Sequence, residues 1–316
     1  MRLRIFVEPQ RGATYDQILA LATEAEALGF DGFFRSDHYL TTDGADGWPG
    51  QSDSWTTLAG LARDTRRLRL GTLVTAATFR LPGPLAVAVA QVDAMSGGRV
   101  ELGLGAGWHD VEHRAFGIPF PPVAERFDRL EEQLAILTGL WATPRGESFS
   151  FTGRHYWLEA NPAQARPLQQ PRPPIIVGGG GRPRTPQLAA RFADEYNIAF
   201  QPLSGCRAAF ERVRAACDAS GRDPASLRLS VALTVCCGAT DQEVRRRMDQ
   251  VQRTPADLAR AGVGGQPAQV VEALAARGAL GADTLYLQLL DPTDLDQLHL
   301  IAAEVAPQLG MADPGA

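Results

Sequence analysis

The segment Leu68–His113, LRLGTLVTAATFRLPGPLAVAVAQVDAMSGGRVELGLGAGWHDVEH, reads as a strand, a helix and a second strand, with polar residues where each strand ends. From Leu68 to Val74, Leu, Val and Thr alternate with small residues, and the run passes into Thr75, Thr78 and Arg80. Pro82, Gly83 and Pro84 supply turn chemistry. Leu85, Val89, Val92 and Met95 then recur at helical spacing, and Ser96, Gly97 and Gly98 stop that helix. Val100 to Leu104 is the second strand, followed by Gly105, Ala106, Gly107, Trp108 and His109. Parallel strands joined through a helix cross over right-handed, so both carboxyl ends fall on one edge of the sheet and can face one ligand. Taken singly, each strand end reads equally well as an ordinary turn.

The same alternation extends in both directions. Strand patterns fall at Leu3 to Val7, Phe30 to Phe34, Leu68 to Val74, Val100 to Leu104, Pro174 to Val177, Glu195 to Ala199, Leu227 to Val235 and Thr284 to Leu289. Helical patterns separate them at Tyr15 to Leu28, Ser54 to Thr65, Leu85 to Met95, Val123 to Trp141, Pro186 to Phe192, Cys206 to Ala219 and Asp241 to Gln252, with Pro267 to Arg277 and Leu295 to Val305 completing the set. Alternating strands and helices predict an α/β protein with a parallel sheet, and eight such units close into a (β/α)8 barrel. No linker divides the chain, so one domain over residues 1–316 is expected. Phe149 to Leu158, FSFTGRHYWL, reads as an inserted β-hairpin, and Arg253 to Gln266 as a second insertion. Both are expected at the carboxyl ends of the barrel strands, where they would help to enclose a ligand.

Composition narrows the class of protein. Hydrophobic residues make up 45% of the chain and charged residues 21%, close to ordinary globular usage. No apolar run reaches the roughly 18 residues that span a bilayer, so no membrane association is expected. MRLRIFVEP enters a strand pattern directly, without the features of a signal peptide, which predicts a cytoplasmic protein. A net charge of −5 and the lack of a basic stripe argue against nucleic acid. All 31 basic residues are Arg, so any phosphate must be held by guanidinium or backbone groups. Cys206, Cys217, Cys236 and Cys237 lack zinc-site spacing, and buried packing is expected of them.

Three places carry candidate chemistry. Ser36, Asp37 and His38 lie just past the second strand, where a barrel keeps its reactive face, and a histidine there can give or take a proton near neutral pH. The alternative is that Asp37 caps a turn and His38 packs on it. Glu8, at the end of the first strand, is either a second acid at the same mouth or a solvated carboxylate. Pro174 to Pro186, PIIVGGGGRPRTP, is a buried strand followed by Gly178, Gly179, Gly180 and Gly181, then Arg182, Arg184 and a helix starting near Thr185. Bare backbone, a helix amino terminus and either arginine could grip a phosphate. Gly103, Gly105 and Gly107 do not make a dinucleotide fingerprint, because Trp108, His109 and Asp110 crowd the close-packing position.

Taken together, DGFFRSDH (31–38), LGTLVTAATFR (70–80), DAMSGGRVELGLGAGWHDVEH (93–113), ERFDRLEEQLAILTGLW (125–141) and PPIIVGGGG (173–181) resemble the bacterial luciferase-like superfamily, and within it the oxidoreductases that use the deazaflavin coenzyme F420. The resemblance covers nearly the whole chain. It implies the barrel independently, with the cofactor ring across its mouth. It also implies a cis peptide at Leu73–Val74 backing the ring beside Thr75, and Asp37 and His38 next to it. Gly105, Ala106, Gly107 and Trp108 would form the loop of the fourth strand, and Gly178 to Gly181 with Arg182 and Thr185 the phosphate site. Sugar-phosphate dehydrogenases of that family carry glutamate where Trp108 stands, and their phosphate-binding lysines have no counterpart here, so a sugar phosphate is not expected.

The expectation is therefore an F420-dependent oxidoreductase that moves a hydride to or from an unsaturated or carbinol carbon of a small organic substrate, acting as a homodimer. His38 would carry the proton, with Glu8 as its possible partner. Trp108, Phe79, Tyr156 and Trp157 are candidates for an apolar substrate wall. The alternatives are an FMN-dependent monooxygenase of the same superfamily and a non-catalytic deazaflavin-binding protein.

Overall fold

Parallel pairing closes into a ring in this computed structural model, which describes residues 1–50 and 52–310. The barrel strands are β1 (Arg2–Val7), β2 (Gly32–Arg35), β3 (Arg69–Thr72), β4 (Val100–Gly105), β5 (Ile175–Gly178), β6 (Glu195–Ala199), β7 (Arg228–Cys237) and β8 (Thr284–Gln288). Each pairs with the next, and β8 pairs back onto β1 with Arg4 opposite Tyr286. Every predicted strand is present. Gln51 and residues 311–316 lie outside the described residues.

The helices are α1 (Tyr15–Ala27), α2 (Ser54–Asp64), α3 (Pro82–Ser96), α4 (Asp110–Ala115), α5 (Val123–Ala142), α6 (Arg184–Phe192), α7 (Leu203–Ala219), α8 (Asp241–Gln250), α9 (Pro255–Ala261), α10 (Pro267–Gly278) and α11 (Leu295–Leu300), the last continued by a π-helical turn at Ile301–Val305. Helix α3 begins three residues before the apolar periodicity does, since prolines are well tolerated in a first turn. It ends where Gly97 takes φ 73° and Gly98 φ 86°. The segment read as a second insertion is α9 followed by a short strand, Gly262–Gly265, that pairs in parallel with the end of β7. The four cysteines are buried and free. No helix among the described residues is long and apolar enough to cross a membrane.

Side chains alternate along the strands. On β1, Leu3, Ile5 and Val7 face the helices in the main core, while Arg4 and Phe6 point inward. The barrel interior is layered. A charged layer holds Arg4, which donates to Glu101 at 2.8 and 3.0 Å and to the Tyr286 hydroxyl at 2.8 Å, while Tyr286 donates to Glu195 at 2.7 Å. Above it lies an apolar layer of Phe6, Phe34, Leu73, Ile176 and Ala232. Beyond that layer the barrel opens.

The hairpin forms, with strands Phe149–Thr152 and Trp157–Asn161. None of its residues lines the cavity at the barrel mouth. The Glu132 carboxylate on α5 accepts backbone N–H groups of Arg154, His155 and Tyr156, which pins the hairpin turn to the outer wall.

Candidate functional site

Strand β3 stops at Thr72 because the chain kinks, with the Leu73–Val74 peptide cis, before Thr75–Ala76 resumes pairing with β4. The kink places the Val74 side chain across the mouth, and three glycines make room for it. A Cβ on Gly178 would come within 2.9 Å of Val74 Cγ1, and one on Gly105 within 3.0 Å of Cγ2. A Cβ on Gly103 would collide with the Thr72 carbonyl. Gly178 thus makes room for the Val74 shelf. Gly179, at φ 126°, and Gly180, with nothing nearer than 3.8 Å, are the glycines that leave backbone open.

Around the shelf lies a cavity of about 520 Å³. Glu8, His38, Leu73, Val74, Gly105 to Trp108, Gly178 to Gly181 and Thr185 all line it. Asp37, Thr75 and Arg182 do not. Asp37 is buried beneath the shelf, where it accepts a hydrogen bond from Thr75 Oγ1 at 2.8 Å and pairs with Arg80 at 3.2 Å. Its position ties the end of β2 to the kink. Arg182 is exposed. Arg184, the other arginine considered for an anion, is held by Asp128 at 2.6 Å and Glu131 at 3.3 Å.

The turn that presents His38 is locked from below. Arg35, wholly buried at the end of β2, donates to the Ser36 carbonyl at 2.9 Å, Ser52 Oγ at 2.9 Å and Thr57 Oγ1 at 2.8 Å. His38 Nδ1 is 2.7 Å from Glu112 Oε1, and Glu112 Oε2 accepts the backbone N–H of Tyr39 at 2.9 Å. Nε2 makes no protein hydrogen bond among the described residues. Burial disfavours charge on His38, yet the hydrogen bond and fields of Glu112, with those of Glu8 and Asp37, outweigh it and raise its pKa above 6.5. Burial likewise opposes ionised Glu112, but His38 and the backbone donors hold its pKa below 4.5. A carboxylate and an imidazolium in this contact stabilise each other.

The linkage runs in two directions. The contribution from His38 is complete below its unfolded pKa near 6.5 and fades as pH rises through its higher folded value. The contribution from Glu112 is present above 4.5 and fades as pH falls through its lower folded value. In Glu112→Gln, burial is left as the main influence on His38. Its imidazole pKa, followed by NMR, is expected to drop. An unchanged pKa would show that Glu112 does not control the protonation of His38.

Glu8 follows Arg4 and Phe6 on the inward face of β1. Its carboxyl makes no hydrogen bond among the described residues, and burial raises its pKa, opposed by His38 and reinforced by Asp43. Glu8, Trp108 and Phe200 also border an adjoining polar recess of about 370 Å³ reaching Asp43, Arg253 and Gln288. Trp108 is 63% exposed and meets the His38 ring edge-on at 5.6 Å. The other expected wall residues are elsewhere. Phe79 stacks on Tyr39 and His113, the Tyr156 hydroxyl is buried against Gln133 Nε2 at 2.9 Å, and Trp157 lies exposed on the hairpin.

Among the residues that escaped the sequence reading, two charged ones line the cavity, Glu112 and Arg126. Glu112 lies in the quoted GWHDVEH motif, but its tie to His38 spans 74 positions. Arg126, in ERFDR, lies on α5 with its guanidinium over the Phe120 ring at 3.9 Å. Its Nε and Nη1 are buried without partners, although it lines the cavity together with the glycine loop. Buried unpaired donors are costly, and an anion in the cavity would satisfy them. Among the described residues no cluster suited to a metal ion occurs.

The sequence profile of the luciferase-like monooxygenase family matches residues 1–284. An F420-dependent glucose-6-phosphate dehydrogenase from Microbacterium testaceum (strain StLB037) is 35% identical over 182 residues, which is 57% of this chain and 52% of that protein. An FMNH(2)-dependent dimethylsulfone monooxygenase from Pseudomonas putida is 30% identical over 250 residues, 78% of this chain and 64% of that one. The chain thus spans between half and two thirds of the length of these two relatives. The crystal structure of monooxygenase RslO1 from Streptomyces bottropensis superposes with a TM-score of 0.83 at 24% identity, covering 98% of this chain and 100% of that one.

Proposed function

Because the chain belongs to the luciferase-like monooxygenase family, we propose that it is an F420-dependent oxidoreductase acting on a small organic substrate. The observation that carries this reading is the His38–Glu112 pair, held at 2.7 Å beside the Val74 shelf with one imidazole nitrogen free. The residues present fit a tricyclic ring with an anionic tail. Three glycines clear the shelf on which a flat ring can rest, and Arg126, whose Nε and Nη1 are unpartnered, lines the same cavity as Gly179 and Gly180. When bound, the deazaflavin supplies hydride chemistry. Val74 would back the ring, and Arg126 with the Gly179–Gly180 backbone would hold its phosphate. His38 Nε2 would give or accept the proton that accompanies hydride movement. Trp108 and the polar recess beyond it would receive the substrate, and a sugar phosphate remains disfavoured since Trp108 occupies the place of an acid.

The second reading, an FMN-dependent monooxygenase, draws on the FMNH(2)-dependent relative, matched over 78% of this chain. Fluorescence-quenching titration of the purified protein with each cofactor separates the two. The deazaflavin is expected to bind in preference. Tight FMN binding with no deazaflavin binding would overturn the first reading in favour of the second.

A further inference from the structure

A groove of about 980 Å³, larger than the cavity at the mouth, runs along the outer wall between α6 and α7. It starts at Pro183 and Pro186, immediately after the Gly178–Gly181 loop that lines the cavity, and reaches Asp194 and Arg222 at the far end of α6. Its floor is made of small side chains, including Ala190, Ala215, Ala216 and Ala219. Four arginines line it against the single carboxylate of Asp194.

The arginines are not equivalent. Arg222 is committed to the carbonyls of Ala189, Ala190 and Ala193 at the end of α6, and Arg172 pairs with Asp194. Arg191 touches Glu131 at 2.9 Å with its side chain 63% exposed. Arg212 makes no hydrogen bond or ion pair among the described residues, and neither does Arg182 at the head of the groove. The fields of Arg212 and Arg182 both reach the Tyr196 phenol, which donates to the Gly179 carbonyl at 3.0 Å. Arg182 follows Gly181 directly in the chain, next to Pro183 at the groove's start, and Arg212 lines the groove from α7.

We infer that this groove holds an oligoanionic extension of the cofactor, the oligoglutamate tail that a deazaflavin carries beyond its phosphate and FMN lacks. The inference rests on the deazaflavin reading. Charge complementarity selects the occupant: Arg182 at the head, then Arg191 and Arg212 along the groove, offer sites for successive carboxylates, and the small side chains of the floor leave room for an extended chain. Helix α6 is about 14 Å long by its nine residues, enough for several anionic units. Salt screens exposed guanidiniums strongly, so they hold such a chain only at modest ionic strength.

Two deazaflavins test this by fluorescence quenching, one with a long oligoglutamate tail and one trimmed back to the phospholactate. The long form is expected to bind about tenfold more tightly at low salt, the combined effect of a few exposed ion pairs, and to lose that advantage in about 0.5 M salt. The double variant Arg191→Ala, Arg212→Ala, checked for folding by circular dichroism, is expected to weaken the long form about tenfold and leave the trimmed form unchanged. Equal binding of both forms to the native protein would overturn the groove assignment and leave the deazaflavin reading intact. Equal weakening of both forms in the variant would overturn it as well, by placing these arginines at the shared phosphate. Binding of neither form alongside binding of FMN would remove the deazaflavin reading and the tail with it.

Discussion

His38→Ala is expected to lower kcat by about 10²–10⁴-fold, the range typical of a positioned general acid or base, while changing cofactor affinity only a few-fold. The expectation follows from how the imidazole is used. Nδ1 is committed to Glu112 at 2.7 Å, so Nε2 is the atom that can exchange a proton with substrate in the cavity. The shelf and the anion site stand on other residues, Val74 with its three glycines and Arg126. The pH profile adds a sign. In the direction that consumes a proton, the rate should fall as pH rises through the elevated pKa of His38, and the reverse reaction should rise over the same range. An unchanged kcat in His38→Ala would remove the proton-transfer role. A parallel collapse of cofactor affinity would make His38 a binding residue instead.

The largest effect on stability is expected at Arg4→Met. Arg4 is 1% exposed, and its guanidinium is the counter-charge to Glu101 and reaches Asp31 at 2.5 Å. Burial opposes ionised Glu101, yet Arg4 and Arg69 hold its carboxyl at about 2, whereas burial keeps Glu195 raised. Removing Arg4 leaves the Glu101 carboxylate in the barrel with only Arg69 beside it. Breaking a buried pair in this way costs about 3–5 kcal/mol. The native contribution from Glu101 is present above 4.5 and is lost only as pH falls towards 2. In the variant the carboxyl reverts to burial control and protonates at higher pH. The gap between native and variant proteins in urea denaturation should therefore be wide at pH 7 and narrower at pH 5. A gap below about 1 kcal/mol at pH 7, within the range of ordinary substitutions, would show that the charged layer does not hold the barrel.

How far the sequence could be read follows from the range of the forces behind each feature. The alternation Leu3, Ile5, Val7 against Arg4 and Phe6 is a period-two signal within one strand, so β1 and its inward face follow from neighbouring residues alone. Read one step further, the same period places Glu8 inside the mouth. The turns after β3 and β4 were equally visible, as were the glycines that crowd there. Their purpose was not: Gly103, Gly105 and Gly178 lie on two strands and make room for one side chain from a third.

Asp37 and His38 are adjacent in the chain, yet one sinks beneath the shelf to hold Thr75 and Arg80 while the other faces the cavity. Nothing in SDH distinguishes them. The alternation of strand and helix, the closed barrel and the edge on which the site lies were determined by the sequence itself, because hydrophobic period and turn chemistry act over a few residues. The pairing of His38 with Glu112, the unpartnered Arg126 in the same cavity as the glycine loop and the absence of the hairpin from the cavity lining were decided by the tertiary structure. Each depends on which side chains barrel closure brings within about 3 Å of one another, and that distance is set by the whole ring of strands.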